Sequence, residues 1–131
     1  MNSFMPYLLF DGTCLQAMEF YKACLGGDLS VTKVQDSPAT NQMPAALHDK
    51  VIHARLKSGN IEIAASDWLM PNRPPVRGNT VCLFLSAGTL RELKSLFEKL
   101  SEEAEITDPL QERFFGTYGA LNDRFGVRWM F

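Results

Sequence analysis

The sequence is poor in the residues that most often bind metals or cross-link secreted proteins. It has two histidines and three cysteines among 131 residues. Cys14, Cys24 and Cys82 cannot all form pairs, and no CxxC or mixed Cys/His spacing is present. These spacings exclude a zinc-finger motif and a disulfide framework. We therefore expect reduced and mostly buried thiols.

The chain also lacks long apolar segments and concentrated basic charge. No apolar run approaches the roughly 20 residues that a bilayer-spanning helix needs, and no basic stretch precedes the short apolar segment at the N-terminus. The 13 basic and 15 acidic residues give a net charge of −2, and the basic residues are dispersed, unlike those of nucleic-acid binders. We therefore predict a cytoplasmic protein that binds neither a membrane nor nucleic acid.

The predicted elements follow the order strand, helix and three strands, and this order repeats after a proline-rich linker. The segments LLFDGTCLQAMEFYKACL and LFLSAGTLRELKSLFEKL both combine a strand, a Gly-Thr helix start and an amphipathic helix. Chance similarity between two strand–helix segments is the alternative to a true repeat. We predict an α+β chain with one domain at 1–131, repeat units at about 4–67 and 78–131, and a linker at 68–77.

The two units differ in the length of their connections. In the first unit, strands are predicted at 6–10, 28–34, 51–57 and 61–66, with a helix at 15–25 that Thr13 caps. A long polar loop occupies 35–49. In the second unit, strands are predicted at 80–86, from 104, at 113–121 and at 127–131, with a helix that Thr89 caps and that ends near residue 100.

Three segments carry a resemblance to a known family: PYLLFDGTCLQAMEFYKACLGGDL, IHARLKSGNIEIAASD and FFGTYGALNDRFGVRWMF. They resemble the vicinal oxygen chelate superfamily of glyoxalases, bleomycin-resistance proteins and extradiol dioxygenases. Within it, they are similar to the PhnB-like branch, which is labelled 3-demethylubiquinone-9 3-methyltransferase-like. The resemblance implies two βαβββ repeats that form a curved mixed eight-stranded sheet around a cavity, with the helices outside. It also implies a homodimer.

The methyltransferase label has no support in the sequence pattern. The chain shows neither a doubly wound βαβ series nor a glycine-rich loop after its first strand, which an adenosyl cofactor would need. No cofactor is therefore predicted.

Catalytic members of this superfamily hold a divalent metal through His, Glu or Gln side chains. The resemblance places these ligands near the start of the first strand and on the last strand of each unit. Three of the four positions here fall on unsuited residues, namely Met5-Pro6-Tyr7, Asn79 and Trp129-Met130. Glu62 is the only plausible ligand. Because selective metal binding needs three or four converging donors, we predict no metal site.

The third and fourth strands form a predicted hairpin that presents polar side chains. Alternation puts one set on a common face of the third strand, namely Val51, His53, Arg55 and Lys57, and another on the fourth, namely Glu62, Ala64 and Ser66. A turn at Ser58-Gly59 would set Arg55 opposite Glu62, whereas a turn at Gly59-Asn60 would set Lys57 there. The segment is therefore either a cross-strand ion pair or the polar floor of a ligand cavity.

Aromatic residues gather near the ends of the two units and could line such a cavity, although core packing is the alternative for each. The predicted ligand-binding residues are His53, Arg55, Glu62, Ser66, Phe114, Tyr118 and Trp129. Of the remaining polar residues, His48 is predicted to be exposed. Asp67 is predicted to stabilise the turn after its strand, and a ligand contact is the alternative. Cys14 lacks a neighbouring base, so no nucleophilic thiol is predicted.

The preferred interpretation is a metal-free protein that binds an unidentified small molecule in an aromatic-lined cavity. One alternative is a metal-dependent lyase, isomerase or dioxygenase that uses Glu62, His53 and a third donor. Another is a drug-sequestering protein of the bleomycin-resistance kind, with an acidic cleft built from Glu102, Glu103 and Glu105. These glutamates are otherwise a solvated face.

Overall fold

The computed structural model describes residues 1–131, which form two compact units, Met1–Val76 (unit 1) and Arg77–Phe131 (unit 2). Unit 1 contains β1 (Tyr7–Phe10), α1 (Cys14–Leu25), β2 (Asp28–Lys33), β3 (Val51–Ser58) and β4 (Ile61–Asp67). Unit 2 contains β5 (Leu83–Phe84), α2 (Leu90–Leu100), β6 (Glu105–Arg113), β7 (Gly116–Asn122) and β8 (Arg128–Met130). The predicted α+β class and the repeated βαβββ order are confirmed.

The two units share one sheet topology. The strand order is β1-β4-β3-β2 in unit 1 and β5-β8-β7-β6 in unit 2. In each sheet the first strand pairs in parallel with the last, and the other pairs are antiparallel. The internal repeat that the sequence suggests is therefore present in the strand pairing as well.

The strand predicted at 80–86 is much shorter in the structure. Only Leu83 and Phe84 pair, with Trp129 and Met130 of β8. The backbone N–H of Leu85 adds one further bond, to the carbonyl of Met130 at 2.9 Å. Because β8 has only three residues, it offers β5 few partners.

The core of unit 1 lies between α1 and the sheet. Helix α1 buries one side, which comprises Cys14, Ala17, Met18, Phe20, Tyr21 and Cys24. On the sheet, Ala54, Leu56 and Ala65 are fully buried. The spacing of the buried helical residues by three and four is the pattern from which the helix was predicted.

The predicted caps of the two helices have different outcomes. Thr89 begins α2 as expected, because its hydroxyl accepts the backbone N–H of Glu92 at 3.1 Å. The Thr13 side chain makes no capping hydrogen bond, so that prediction is wrong. The carboxylate of Asp67, at the end of β4, accepts the N–H of Cys14 instead, at 2.9 Å.

The loop predicted at 35–49 is built from three short 3₁₀ turns, Val34–Asp36, Thr40–Gln42 and Ala45–Leu47. His48 was predicted to be exposed, but it is partly buried, and its Nε2 lies 3.0 Å from the carbonyl oxygen of Met43. His48 therefore stabilises the loop. Neither helix of the structure is long and apolar enough to cross a membrane.

Candidate functional site

The sheet of unit 1 has a polar face opposite helix α1, which we call the open face. Along β3, Ala54 and Leu56 are buried, whereas His53, Arg55 and Lys57 are exposed. Because side chains alternate along a strand, the exposed set points away from the core. The strand register places further side chains from β1, β2 and β4 on the open face, namely Tyr7, Leu9, Ser30, Thr32, Glu62, Ala64 and Ser66.

The hairpin adopts the second of the two registers that the sequence allowed. Ser58 pairs with Ile61, and Lys57 lies opposite Glu62. The turn is therefore Gly59-Asn60. Val51, which was predicted to share the face of His53 and Arg55, is buried. The pairing of β2 with β3 shifts register beside it, between Thr32 and Lys33.

Glu62 forms its ion pair with Arg55 rather than with Lys57. Arg55 Nη2 donates to Glu62 Oε1, although the Cα partner of Arg55 is Ala64. The contact is diagonal across the hairpin, a distance that a long guanidinium side chain can reach. The side chains of Arg55 and Glu62 keep 51% and 32% exposure. The cross-strand ion pair that the sequence suggested is therefore present. It joins Arg55 to Glu62 although Lys57 is the residue directly opposite Glu62.

Tyr7 completes the polar cluster on this face. In the sequence, Tyr7 was noted only as a residue unsuited to a metal-ligand position. Its hydroxyl lies 3.5 Å from His53 Nδ1, and the two ring centroids are 6.1 Å apart. Parallel pairing of β1 with β4 sets Tyr7 opposite Ala64, which itself lies opposite Arg55. The family resemblance places site residues near the start of the first strand and on the last strand of each unit, and this was the available signal for including Tyr7.

Ser66 lies on the same face and is buried, as is Ala64 two residues before it on β4. It is 6% exposed, whereas Tyr7 and Leu9 on the neighbouring strand are 48% and 41% exposed. The four predicted site residues of unit 1, namely His53, Arg55, Glu62 and Ser66, therefore share the open face. Tyr7 and Leu9 add aromatic and aliphatic surface to this polar set.

The donors needed for a metal do not converge around Glu62. No group of three or more His, Cys, Asp or Glu side chains lies close enough together to hold a metal ion. The one carboxylate of a suitable type is already neutralised by the guanidinium of Arg55. A dication at Glu62 would have to displace Arg55 and find its remaining ligands elsewhere.

Asp67 has a structural role rather than a ligand-facing one. Its carboxylate is 4% exposed, and it accepts the backbone N–H of Cys14 at 2.9 Å and that of Val51 at 2.8 Å. One side chain thus ties the end of β4 to the start of α1 and the start of β3. The predicted role in the adjacent turn is therefore wrong, because both hydrogen-bond partners are distant from Asp67 in sequence.

The thiol of Cys14 is unsuited to nucleophilic chemistry. Burial in the core, and in second place the negative charge of Asp67, raise the pKa of Cys14 from 9.0 to about 12. The thiol therefore stays protonated at neutral pH, and a protonated thiol is a poor nucleophile. The helix N-terminus would favour the thiolate, but here it is occupied by the carboxylate of Asp67.

The predicted aromatic residues of unit 2 occupy two distinct places. Phe114 and Phe115 lie at the tip of the β6–β7 hairpin, 100% and 62% exposed. Their ring centroids are 5.0 Å apart, and Phe115 lies 5.9 Å from Tyr118. These rings form one exposed cluster.

Trp129 does not belong to that cluster. It is 2% exposed, and its indole N–H donates to Asp123 Oδ2 at 2.8 Å. It pairs with Leu121, whereas Met130 pairs with Ala120, on the face that Tyr118 shares. Trp129 and Tyr118 thus lie on opposite faces of their sheet, and the structure does not bring them together.

Asp123 explains the position of Trp129. It is 5% exposed and its Oδ1 also accepts the backbone N–H groups of Phe125 and Val127, at 2.8 and 3.0 Å. The predicted turn at 122–126 is therefore organised by one aspartate, which also binds the indole. The spacing Asp-x-Phe-Gly-Val-x-Trp in the family segment is the sequence signature of this arrangement.

The acidic residues after α2 do not form an isolated cluster. Glu103 pairs with Arg124, and Glu105 accepts the Asn122 side-chain amide at 2.9 Å. Glu102 is exposed. Two of the three carboxylates thus already have local partners.

Comparisons with known proteins identify the family and the fold of this chain. A family model described as 3-demethylubiquinone-9 3-methyltransferase matches residues 2–131. Protein YjdN of Escherichia coli is 30% identical, over 95% of this chain and 90% of its own. The crystal structure of protein PA1353 from Pseudomonas aeruginosa is 35% identical, with a TM-score of 0.88 over 99% of this chain and 96% of its own.

Two more distant structures have the same fold. A Bacillus cereus PhnB protein, named a putative 3-demethylubiquinone-9 3-methyltransferase, has a TM-score of 0.76 at 23% identity, over 98% of this chain and 97% of its own. A glyoxylase/bleomycin resistance protein/dioxygenase domain from a Frankia species has a TM-score of 0.59 at 17% identity, over 99% and 90%. The chain therefore belongs to the 3-demethylubiquinone-9 3-methyltransferase family, the PhnB-like branch of the glyoxalase-type fold.

Proposed function

We propose that this protein binds a small molecule on the open face of unit 1 without the help of a metal. The observation that carries the proposal is the Arg55–Glu62 ion pair beside Tyr7 and His53. The guanidinium supplies at this position the positive charge that a dication supplies in catalytic members of the superfamily. A ligand can then be held by side chains alone.

The composition of the open face supports a binding role. Ligand sites combine apolar surface with a few convergent polar groups. Here Tyr7 and Leu9 supply the apolar surface, while His53 and Arg55 supply polar groups. Ser66 adds a hydroxyl that is almost withdrawn from solvent.

Ligand binding is expected to survive complete removal of divalent metals. A metabolite library screened by thermal shift should give the same ligands in excess EDTA as in buffer with added Zn²⁺, Ni²⁺ or Mn²⁺. A ligand at 100 times its Kd stabilises the folded state by about 2.7 kcal/mol, so binding is readily measured. His53→Ala should weaken the shift.

The exposed Asp49 gives a control, because Asp49→Ala changes a side chain in the turn before β3, outside the strands that form the open face. Ligand-induced shifts should be unchanged in this variant. Shifts confined to the wells with added metal would contradict the proposal and favour the metal-dependent enzyme.

We also propose that the chain forms a homodimer through the β5 edge. Val81 and Phe84 are 81% and 68% exposed, and β5 is the outer strand of its sheet. Free strand edges with apolar side chains associate unless they are covered. We take the second copy as the partner because the family resemblance implies it.

Phe84→Ser is expected to weaken the dimer at least about tenfold, since the change occurs in both copies and removes apolar contact area. Light scattering across a concentration series measures the effect. Phe114→Ser is the matched control, because Phe114 is fully exposed at a hairpin tip. A wild-type protein that is monomeric at all concentrations would contradict the dimer.

A further inference from the structure

We propose that the ligand of the open face is a small carboxylate whose anionic end is held by Arg55 and His53. This inference rests on the proposed binding function and adds a ligand class to it. It follows from the distribution of donors, acceptors and charges along the face.

Charged residues concentrate at the hairpin-turn end of the open face. Lys57 lies opposite Asp28 on β2 and opposite Glu62 on β4. Glu62 pairs with Arg55, so Asp28 is the carboxylate left opposite Lys57, and the two opposite charges offset each other. This end of the face is therefore close to neutral by itself.

Towards the other end of the face, Glu62 is the one carboxylate that meets the donors, through its ion pair with Arg55. Arg55 lies between Ser30 and Ala64, and His53 lies opposite Thr32. The hydroxyl of Tyr7 is 3.5 Å from His53 Nδ1. The nearby Asp67 does not alter this balance, because its carboxylate is buried and bonded to backbone N–H groups.

A donor surplus selects a ligand that is rich in acceptors. The guanidinium of Arg55 has five N–H donors in a planar fork, of which the Glu62 contact uses Nη2. Half of the Arg55 side chain remains exposed, at 51%. A carboxylate presents two oxygens in the geometry that a guanidinium fork and a neighbouring imidazole can bind together.

The body of the ligand is expected to be apolar and flat. Tyr7 and Leu9 stand side by side along β1 on the open face and expose 48% and 41% of their surface. The tilted Tyr7 and His53 rings, with an interplanar angle of 38°, leave an aromatic surface next to Arg55. An aromatic carboxylate matches both the donors and this surface.

Glu62 has opposite effects in the two possible kinds of site. If Glu62 were a metal ligand, its removal would abolish binding. In the arrangement proposed here, Glu62 competes with the ligand for Arg55, so Glu62→Gln should strengthen carboxylate binding. The two roles thus predict effects of opposite sign for one substitution.

The test uses three probes of one shape and different charge, namely benzoate, benzamide and benzylamine, titrated into the full chain in EDTA by calorimetry or ligand-observed NMR. Benzoate should bind at least about tenfold tighter than benzamide, the size expected for a hydrogen bond to a charged group. Benzylamine should bind most weakly. Equal binding of benzoate and benzamide, or tightest binding of benzylamine, would overturn the inference.

Variants locate the site. Arg55→Gln should weaken benzoate about tenfold and leave benzamide unchanged, whereas Arg55→Lys should have an intermediate effect because it keeps the charge but loses the fork. Lys57→Gln is the matched control on the same strand and face, and should change benzoate binding less than about twofold. Unchanged benzoate binding in Arg55→Gln would overturn the inference, as would loss of binding in Glu62→Gln.

The outcome separates this inference from the function on which it rests. Metal-independent ligands that are all neutral or cationic would overturn the carboxylate class but leave the binding function intact. A library without any metal-independent ligand would overturn both.

Discussion

Replacing Asp67 with alanine is expected to lower the free energy of unfolding by about 3 kcal/mol, since each hydrogen bond to a charged group contributes roughly 1.5–3 kcal/mol. The Asp67 carboxylate is 4% exposed and accepts two backbone N–H groups, those of Cys14 and Val51. Alanine would leave both donors buried without a partner, and helix α1 would lose its N-terminal negative charge. Urea unfolding followed by circular dichroism measures the loss.

Asp67→Asn separates charge from geometry, because the amide keeps one acceptor oxygen and turns the other into a donor. We expect a loss close to that of alanine, since the NH₂ group would face a backbone N–H. The exposed Asp49→Ala should change stability by less than about 0.5 kcal/mol. An Asp67→Ala protein with wild-type stability but lost ligand binding would contradict the structural role and favour a ligand contact for Asp67.

Replacing Gly27 with alanine is expected to cost about 4 kcal/mol, which combines a backbone clash with a left-handed backbone conformation. Gly27 has a φ of 89°, and a Cβ atom there would lie 2.3 Å from the carbonyl oxygen of Lys57 and 2.7 Å from the Cα of Ser58. Both are backbone atoms of β3 at the hairpin, so a rotamer change cannot relieve the contact. The turn after α1 and the hairpin end would have to separate.

The matched control is Gly59→Ala, at the tip of the same hairpin. Gly59 also has a positive φ, of 59°, but no atom lies within 4 Å of a Cβ built there. It therefore isolates the conformational cost, which is about 1 kcal/mol. If urea unfolding gave the same loss of free energy of unfolding for both variants, close packing at Gly27 would not contribute to stability.

The sequence predicted the elements of this protein well because their signals are local. The buried side of α1 follows the three- and four-residue spacing, and Thr89 marks the start of α2. The Gly59-Asn60 register was one of two alternatives, since the same residues allow either turn. Only the pairing with β2 and β4 selects between them.

The placement of the candidate site residues was predicted in part. Strand alternation was sufficient to place His53 and Arg55 together on an exposed face. It could not show that Arg55 reaches diagonally to Glu62, because that contact depends on side-chain length and rotamer. Tyr7 was not among the predicted candidates, since its neighbour His53 is 46 positions away in the sequence.

The sequence by itself determined the α+β class, the repeated βαβββ order and the family, because these depend on periodicity, turn residues and contiguous motifs. Tertiary structure alone decided the roles of the two buried aspartates, Asp67 and Asp123, and of Trp129. Each of these side chains binds partners brought close by strand pairing or by a turn. The physical reason is that a buried hydrogen bond forms only between groups that the fold brings close together in space. The order of residues along the chain does not show which groups those are.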